Sequence, residues 1–91
     1  MKYIIRRTTQ FKRDIKKILK AGCDIEKLLK TVEVIANGQK LPKHYEDHPL
    51  KGKSKGKRDC HIEPDWLLIY ALEGDELVLY RTGSHSDLFK K

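Results

Sequence analysis

Cysteine is scarce in this chain of 91 residues: Cys23 and Cys60 are the only two, and they lie far apart with no CxxC pair. That count leaves no disulfide framework, and the two side chains are expected as free thiols, Cys60 facing the interior of a strand, in preference to a disulfide between them. Long apolar runs are missing too. No segment is long enough to cross a bilayer, and the start, Met1-Lys2-Tyr3-Ile4-Ile5-Arg6-Arg7, offers too short an apolar patch for a secretory leader, so the cytoplasm is the expected address. There is no internal repeat and no low-complexity segment. The glycines make no phosphate-cradling loop, because Gly52 and Gly56 merely flank lysines.

What the chain does have is positive charge. Twenty Lys and Arg against 13 Asp and Glu give a net charge of +7, a balance that favours a polyanionic partner, either nucleic acid or an acidic protein. Hydrophobic content of 38% beside 36% charged residues fits one small folded domain spanning 1–91 rather than a disordered chain.

Periodicity supplies the architecture. Residues 2–7 read as a short strand. Thr8 or Thr9 caps a helix with Phe11, Ile15, Ile18 and Leu19 on its apolar face, and Gly22 stops it. Asp24 caps a second helix whose stripe is Ile25, Leu28, Leu29, Val32, Ile35 and Ala36, ended by Gly38. Residues 39–55, broken by Pro42, Pro49 and Gly52, read as a long surface loop. Strands follow at about 56–62, Trp66–Leu72 and Leu77–Thr82, with turns at Glu63-Pro64-Asp65 and Glu73-Gly74-Asp75-Glu76. The order β-α-α-β-β-β predicts an α+β fold, a helical hairpin packed on an antiparallel sheet. Trp66–Leu72, apolar on both faces, reads as the central strand.

The second half carries the chemistry. His61 closes one strand and Asp65 opens the next, His85 follows the last strand, and His48 arrives from the loop. If the registers cooperate, these groups meet at one rim beside Lys53, Lys55, Lys57, Arg58 and Arg81. Histidine gives or takes a proton near neutral pH, and cations bind phosphate. Together they suit transesterification of RNA, which needs a base for the 2′-hydroxyl, an acid for the leaving 5′-oxygen and stabilisation of the charged phosphorus centre. Trp66 and Phe89 are candidate stacking surfaces for splayed bases. Read singly, each is ordinary: a turn-forming aspartate, a core tryptophan, a solvated lysine loop, a surface histidine. Three histidines and an aspartate could also ligate zinc, but none of the usual close spacings is present. His44 fits no pattern.

These words in this order resemble the YafQ-type toxins of the RelE superfamily, ribonuclease toxins of bacterial type II toxin–antitoxin systems. The likeness is densest in Tyr45-Glu46-Asp47-His48-Pro49-Leu50, Lys51-Gly52, Arg58-Asp59, His61-Ile62-Glu63-Pro64-Asp65-Trp66, Ile69-Tyr70, Arg81-Thr82-Gly83-Ser84-His85 and Leu88-Phe89. The resemblance implies a RelE-like fold and cleavage of translated mRNA on the ribosome, with ribosomal RNA contacts and no metal or other cofactor. It also implies a cognate antitoxin covering the basic surface, with operator DNA reached only through the antitoxin complex. It implies site residues His48, His61, Asp65 and His85, with Trp66 and Phe89 beside them. Under that likeness His85 is the expected general acid and Asp65 or His48 the base, with His61 orienting the reactive groups or stabilising the phosphate. Lys51, Lys53, Lys55, Lys57 and Arg58 are expected on the RNA backbone, with Arg81 reaching the scissile phosphate. Two rivals stand against this reading. One is a toxin of the same fold with another target, as in the gyrase-directed relatives, which lack this histidine set; the other is an RNA- or ribosome-binding module that stalls translation without cutting.

Overall fold

The computed structural model describes residues 2–89. Strand β1 (Ile4–Arg7) leads into helix α1 (Thr9–Lys20) and helix α2 (Ile25–Ala36). The sheet then continues through a two-residue strand β2 (His48–Pro49), β3 (Arg58–Glu63), β4 (Trp66–Glu73) and β5 (Glu76–Gly83), and a single helical turn α3 (His85–Leu88) follows. The predicted caps form: the Thr8 hydroxyl accepts from the Phe11 amide at 3.0 Å and the Asp24 carboxylate from the Glu26 amide at 3.1 Å. Beyond the helix ends, Gly22 and Gly38 take left-handed φ values of 81° and 75°, which an L side chain resists.

The five strands lie in the order β1-β5-β4-β3-β2, with β4 at the centre as its two-sided apolar run predicts. Two features differ from the sequence reading. β1 runs parallel to β5, so the sheet is mixed rather than wholly antiparallel. The loop 39–55 is not structureless. It contains 3-10 turns at Lys43–Tyr45 and Gly52–Ser54, and between them β2 pairs with β3 through His48↔Asp59 and Pro49↔Arg58. Proline is tolerated there because β2 is the sheet's edge.

One face of the sheet carries Cys60, Trp66, Leu68, Tyr70, Leu77 and Leu79, which cluster with Phe11 and Ile18 of α1 and Leu28, Val32, Ile35 and Ala36 of α2. The helical stripes are narrower than predicted. Leu19 and Leu29 are half exposed, whereas Asp14 and Thr31 are buried on the inner faces. Alternation along the strands puts Asp59, His61, Leu67, Ile69 and Arg81 on the opposite face, and the register aligns Asp59 with Ile69 and Arg81, and His61 with Leu67 and Gly83. His48 pairs with Asp59 at the end of the first of these rows. The candidate chemistry therefore lies on the face away from the long helices.

Candidate active site

Three chain segments meet on that face. The turn between β3 and β4 supplies Asp65, the junction of β5 and α3 supplies His85, and the edge strand β2 supplies His48, all around His61 of β3. The pairing of Leu67 with Gly83 brings the end of β5 beside the start of β4. As a result Asp65 Oδ1 accepts from both the His85 backbone amide (3.0 Å) and His85 Nδ1 (2.7 Å). These donors hold the Asp65 carboxyl below the usual carboxylate range, the backbone amide contributing most. With Nδ1 bonded to a carboxylate, His85 presents Nε2 to solvent. The His61 and His85 rings stand edge to face with centroids 5.5 Å apart. His61 is the more enclosed of the two, its side chain 18% exposed against 52% for His85.

The loop reaches this rim because it is tethered. Asp47 accepts from the Tyr70 hydroxyl at 2.8 Å and from Arg58 Nε at 3.1 Å. Burial, with the Asp47 carboxylate second, pushes the Tyr70 phenol well above its ordinary value, so it stays a donor. Glu46 adopts a left-handed φ of 50°, a conformation costing an L residue roughly 1–2 kcal/mol. Its carbonyl accepts from His48 Nδ1 at 2.7 Å, and its carboxylate lies 3.7 Å from His61 Nδ1. His48 Nε2 sits 3.0 Å from Oδ1 of the buried Asp59. Neither Glu46 nor Asp59 is singled out by the sequence reading. Period-two alternation alone would have found Asp59, two residues before His61 on the same strand and therefore on the same face.

The cations divide into two groups. Lys51, Lys53 and Lys55 are exposed along the loop. Lys57, Arg58 and Arg81 have internal partners: Lys57 Nζ lies 4.3 Å above the Tyr80 ring, Arg58 bonds Asp47, and Arg81 donates through Nε and Nη2 to the Asp14 carboxylate at 2.9 and 3.1 Å. Lys57 and Arg81 still line a depression of about 350 Å³ together with Tyr80, Ile69, Leu88 and Phe89. Phe89 is 38% exposed there, an accessible ring next to cations. His44 lines a separate depression of about 370 Å³ with Glu46 and His61. Among the described residues no group of three or more His, Cys, Asp or Glu could hold a metal ion, and no helix is long and apolar enough to cross a membrane.

The model of the bacterial toxin YafQ of type II toxin–antitoxin systems matches residues 3–90. The chain belongs to the YafQ toxin family. Its relatives include the mRNA interferase toxin YafQ of Escherichia coli K12, 44% identical over 81 residues, 88% of either chain. The crystal structure of YafQ from E. coli BL21(DE3) superposes with a TM-score of 0.91 at 41% identity, over 96% of this chain and 98% of the other. The toxin in the E. coli DinJ–YafQ toxin–antitoxin complex matches with a TM-score of 0.89 at 41% identity, over 98% of this chain and 99% of that one. The α+β fold expected from the sequence is that of the YafQ structures.

Within this YafQ-family chain one expected site residue changes role. Trp66, expected as a stacking surface for bases, is 4% exposed, and its Nε1 donates to the Thr82 hydroxyl at 2.9 Å. Thr82 in turn donates to the Leu67 carbonyl at 2.8 Å. The indole is buried in the core, so it offers no surface to RNA and instead ties the start of β4 to the end of β5, beside the turn that carries Asp65 and the junction that carries His85.

Proposed function

We propose that this chain is the toxin of a toxin–antitoxin pair and an endoribonuclease that cleaves mRNA by acid–base catalysis within a single domain. The observation that carries the reading is the edge-to-face contact of His61 and His85, with His85 held at Nδ1 by Asp65. The two imidazoles can touch one ribose-phosphate from adjoining directions, as base and acid must. In the proposed reaction His61 takes the proton of the 2′-hydroxyl and the 2′-oxygen attacks phosphorus. The bond to the 5′-oxygen breaks, and that oxygen takes its proton from His85 Nε2. The products are a 2′,3′-cyclic phosphate and a 5′-hydroxyl. Asp65, whose Oδ1 is engaged by His85 on two sides, orients the acid and is replaced by His61 in the role of base.

The exposed Lys51, Lys53 and Lys55 attract the RNA backbone, and the basic depression containing Lys57, Arg81 and Phe89 accommodates a nucleotide next to the scissile bond. Translated message on the ribosome is the proposed substrate, which places the activity in the cytoplasm. A cognate antitoxin is the proposed neutralising partner, with operator DNA contacted through that complex. The test is to express wild type and His85→Ala in a bacterial host and map 5′ ends on an abundant message. Discrete cuts with wild type and none with His85→Ala are expected. Growth arrest with intact messages would refute the nuclease reading and favour a toxin that blocks its target without cutting.

A further inference from the structure

We infer that Asp59 is a positioning residue that fixes His48 as a cation inside the site, so that His48 binds the phosphate and does not serve as base. The inference rests on the ribonuclease reading above and assigns a role to a carboxylate that the acid–base scheme leaves unused.

The argument begins at the two ring nitrogens of His48. Nδ1 lies 2.7 Å from the Glu46 carbonyl oxygen. A carbonyl oxygen only accepts, so Nδ1 carries a proton. Nε2 lies 3.0 Å from Asp59 Oδ1. Were Nε2 bare, the partial negative charge of the ring nitrogen would lie 3.0 Å from a carboxylate oxygen with nothing to offset it. A proton on Nε2 removes the conflict and makes the ring an imidazolium beside a carboxylate whose side chain is only 6% exposed. The N–H does not point along the line to Oδ1, which is the one buried side-chain oxygen or nitrogen among the described residues with no hydrogen bond. That misalignment distinguishes the two ways of placing the proton. A neutral carboxyl donating to a neutral ring requires the same axis the geometry lacks, whereas attraction between opposite charges is insensitive to direction.

The surroundings are consistent with this assignment. The groups bearing on Asp59 are His48 from β2, His61 from its own strand, His85 from α3 and Asp47 from the loop. From β4 the register row contributes the apolar Ile69, and from β5 Arg81, whose guanidinium is turned to Asp14. No arginine, lysine or backbone amide bonds the buried Oδ1. Burial raises the Asp59 carboxyl above its ordinary 3.8, with His48 the leading influence in the other direction. An unpaired buried carboxylate is costly, and the histidine beside it is the group available to balance it. His48 Nε2 is thereby occupied on the inner side, and the ring offers charge to a phosphate oxygen in place of a lone pair to a hydroxyl.

Cleavage of a translated message in a purified translation system separates the two roles of His48. An internal cation is replaceable by a group that never gives up its proton, and a base is not. His48→Arg is therefore expected to keep at least a tenth of the wild-type rate, while His48→Gln loses far more. Asp59→Asn is expected to lower the rate about 10- to 100-fold, by analogy with the loss of a group that orients a metal-bound imidazole. The double variant His48→Gln/Asp59→Asn is expected to be no slower than His48→Gln alone, because Asp59 acts through His48. Thermal unfolding of each variant checks that the fold survives, and Asp59→Asn is expected to melt no lower than wild type. The inference is overturned if His48→Arg is as inactive as His48→Gln, if Asp59→Asn cleaves at the wild-type rate, or if the two substitutions add. A wild type that cuts nothing overturns the nuclease reading instead, a distinguishable result.

Discussion

Asp14 is the residue whose replacement most directly tests how the catalytic face is held to the helical layer. It sits on the inner side of α1 between Phe11 and Ile18, 5% exposed. Its carboxylate accepts from the Thr82 backbone amide (3.2 Å), from Arg81 Nε and Nη2 (2.9 and 3.1 Å) and from Gln10 Nε2 (3.1 Å). Asp14→Ala removes all of these acceptors. The Thr82 amide is left buried without a partner, a loss of about 1–3 kcal/mol. The charge-assisted fork to Arg81 adds about 1.5–3 kcal/mol in a dry site, but the Arg81 side chain is 35% exposed and water can replace much of that contact. A net loss of about 3 kcal/mol follows, and at about 4–8 °C per kcal/mol for a chain of this size the midpoint should fall by about 12–24 °C. Asp14→Asn retains one oxygen acceptor and should lose roughly half as much.

The assay is thermal unfolding followed by circular dichroism, with urea unfolding at fixed temperature as an independent measure. An Asp14→Ala midpoint within about 4 °C of wild type, equivalent to less than about 1 kcal/mol, would refute the reasoning, because it would mean that neither the Thr82 amide nor the Arg81 fork depends on this carboxylate.

Two other expectations follow from burial. Cys60 is fully buried and its thiol is pushed up to about 12, so in native protein a thiol reagent should modify the half-buried Cys23 alone, with Cys60 reacting only on unfolding; labelling of both at equal rates in native conditions would contradict the packing. The second concerns Asp59, whose folded-state carboxyl lies above its ordinary 3.8 because of burial. The folded state then binds the proton more tightly than the unfolded state, so the group's destabilising contribution is absent below 3.8 and sets in as pH rises through the raised value. Asp59→Asn should accordingly gain stability relative to wild type as pH is taken from below 3.8 towards neutrality, as read from urea midpoints, and a variant that instead loses ground over that interval would reverse the sign of the argument.

Asp14 and Asp59 also show where sequence reading stops. Caps and strands follow local rules, and Thr8, Asp24, Gly22 and the apolar run of β4 do what their neighbours in the chain predict. An aspartate on the inner face of α1 is illegible by the same rules, because what makes it tolerable there is Arg81 and the Thr82 amide, distant in sequence and adjacent only in the fold. Leu19 is the converse case: its spacing places it on the stripe, yet it is 51% exposed. The short strand β2 was hidden by its proline, and its pairing with β3 depends on the tether from Asp47 to Tyr70 and Arg58. At the site, the meeting of His48, His61, Asp65 and His85 was legible as a possibility from the positions of turns, conditional on a register that no local pattern specifies. Which nitrogen faces which oxygen was not legible at all. Asp65 and His85 touch because Leu67 pairs with Gly83, and His48 faces Asp59 because β2 closes the edge. Those contacts divide the histidines into His85, whose Nδ1 is held by a carboxylate, His48, set against a buried carboxylate, and His61, edge to face with His85. The surroundings of chemically identical side chains are thus set by register, which pattern reading in a single sequence reaches last.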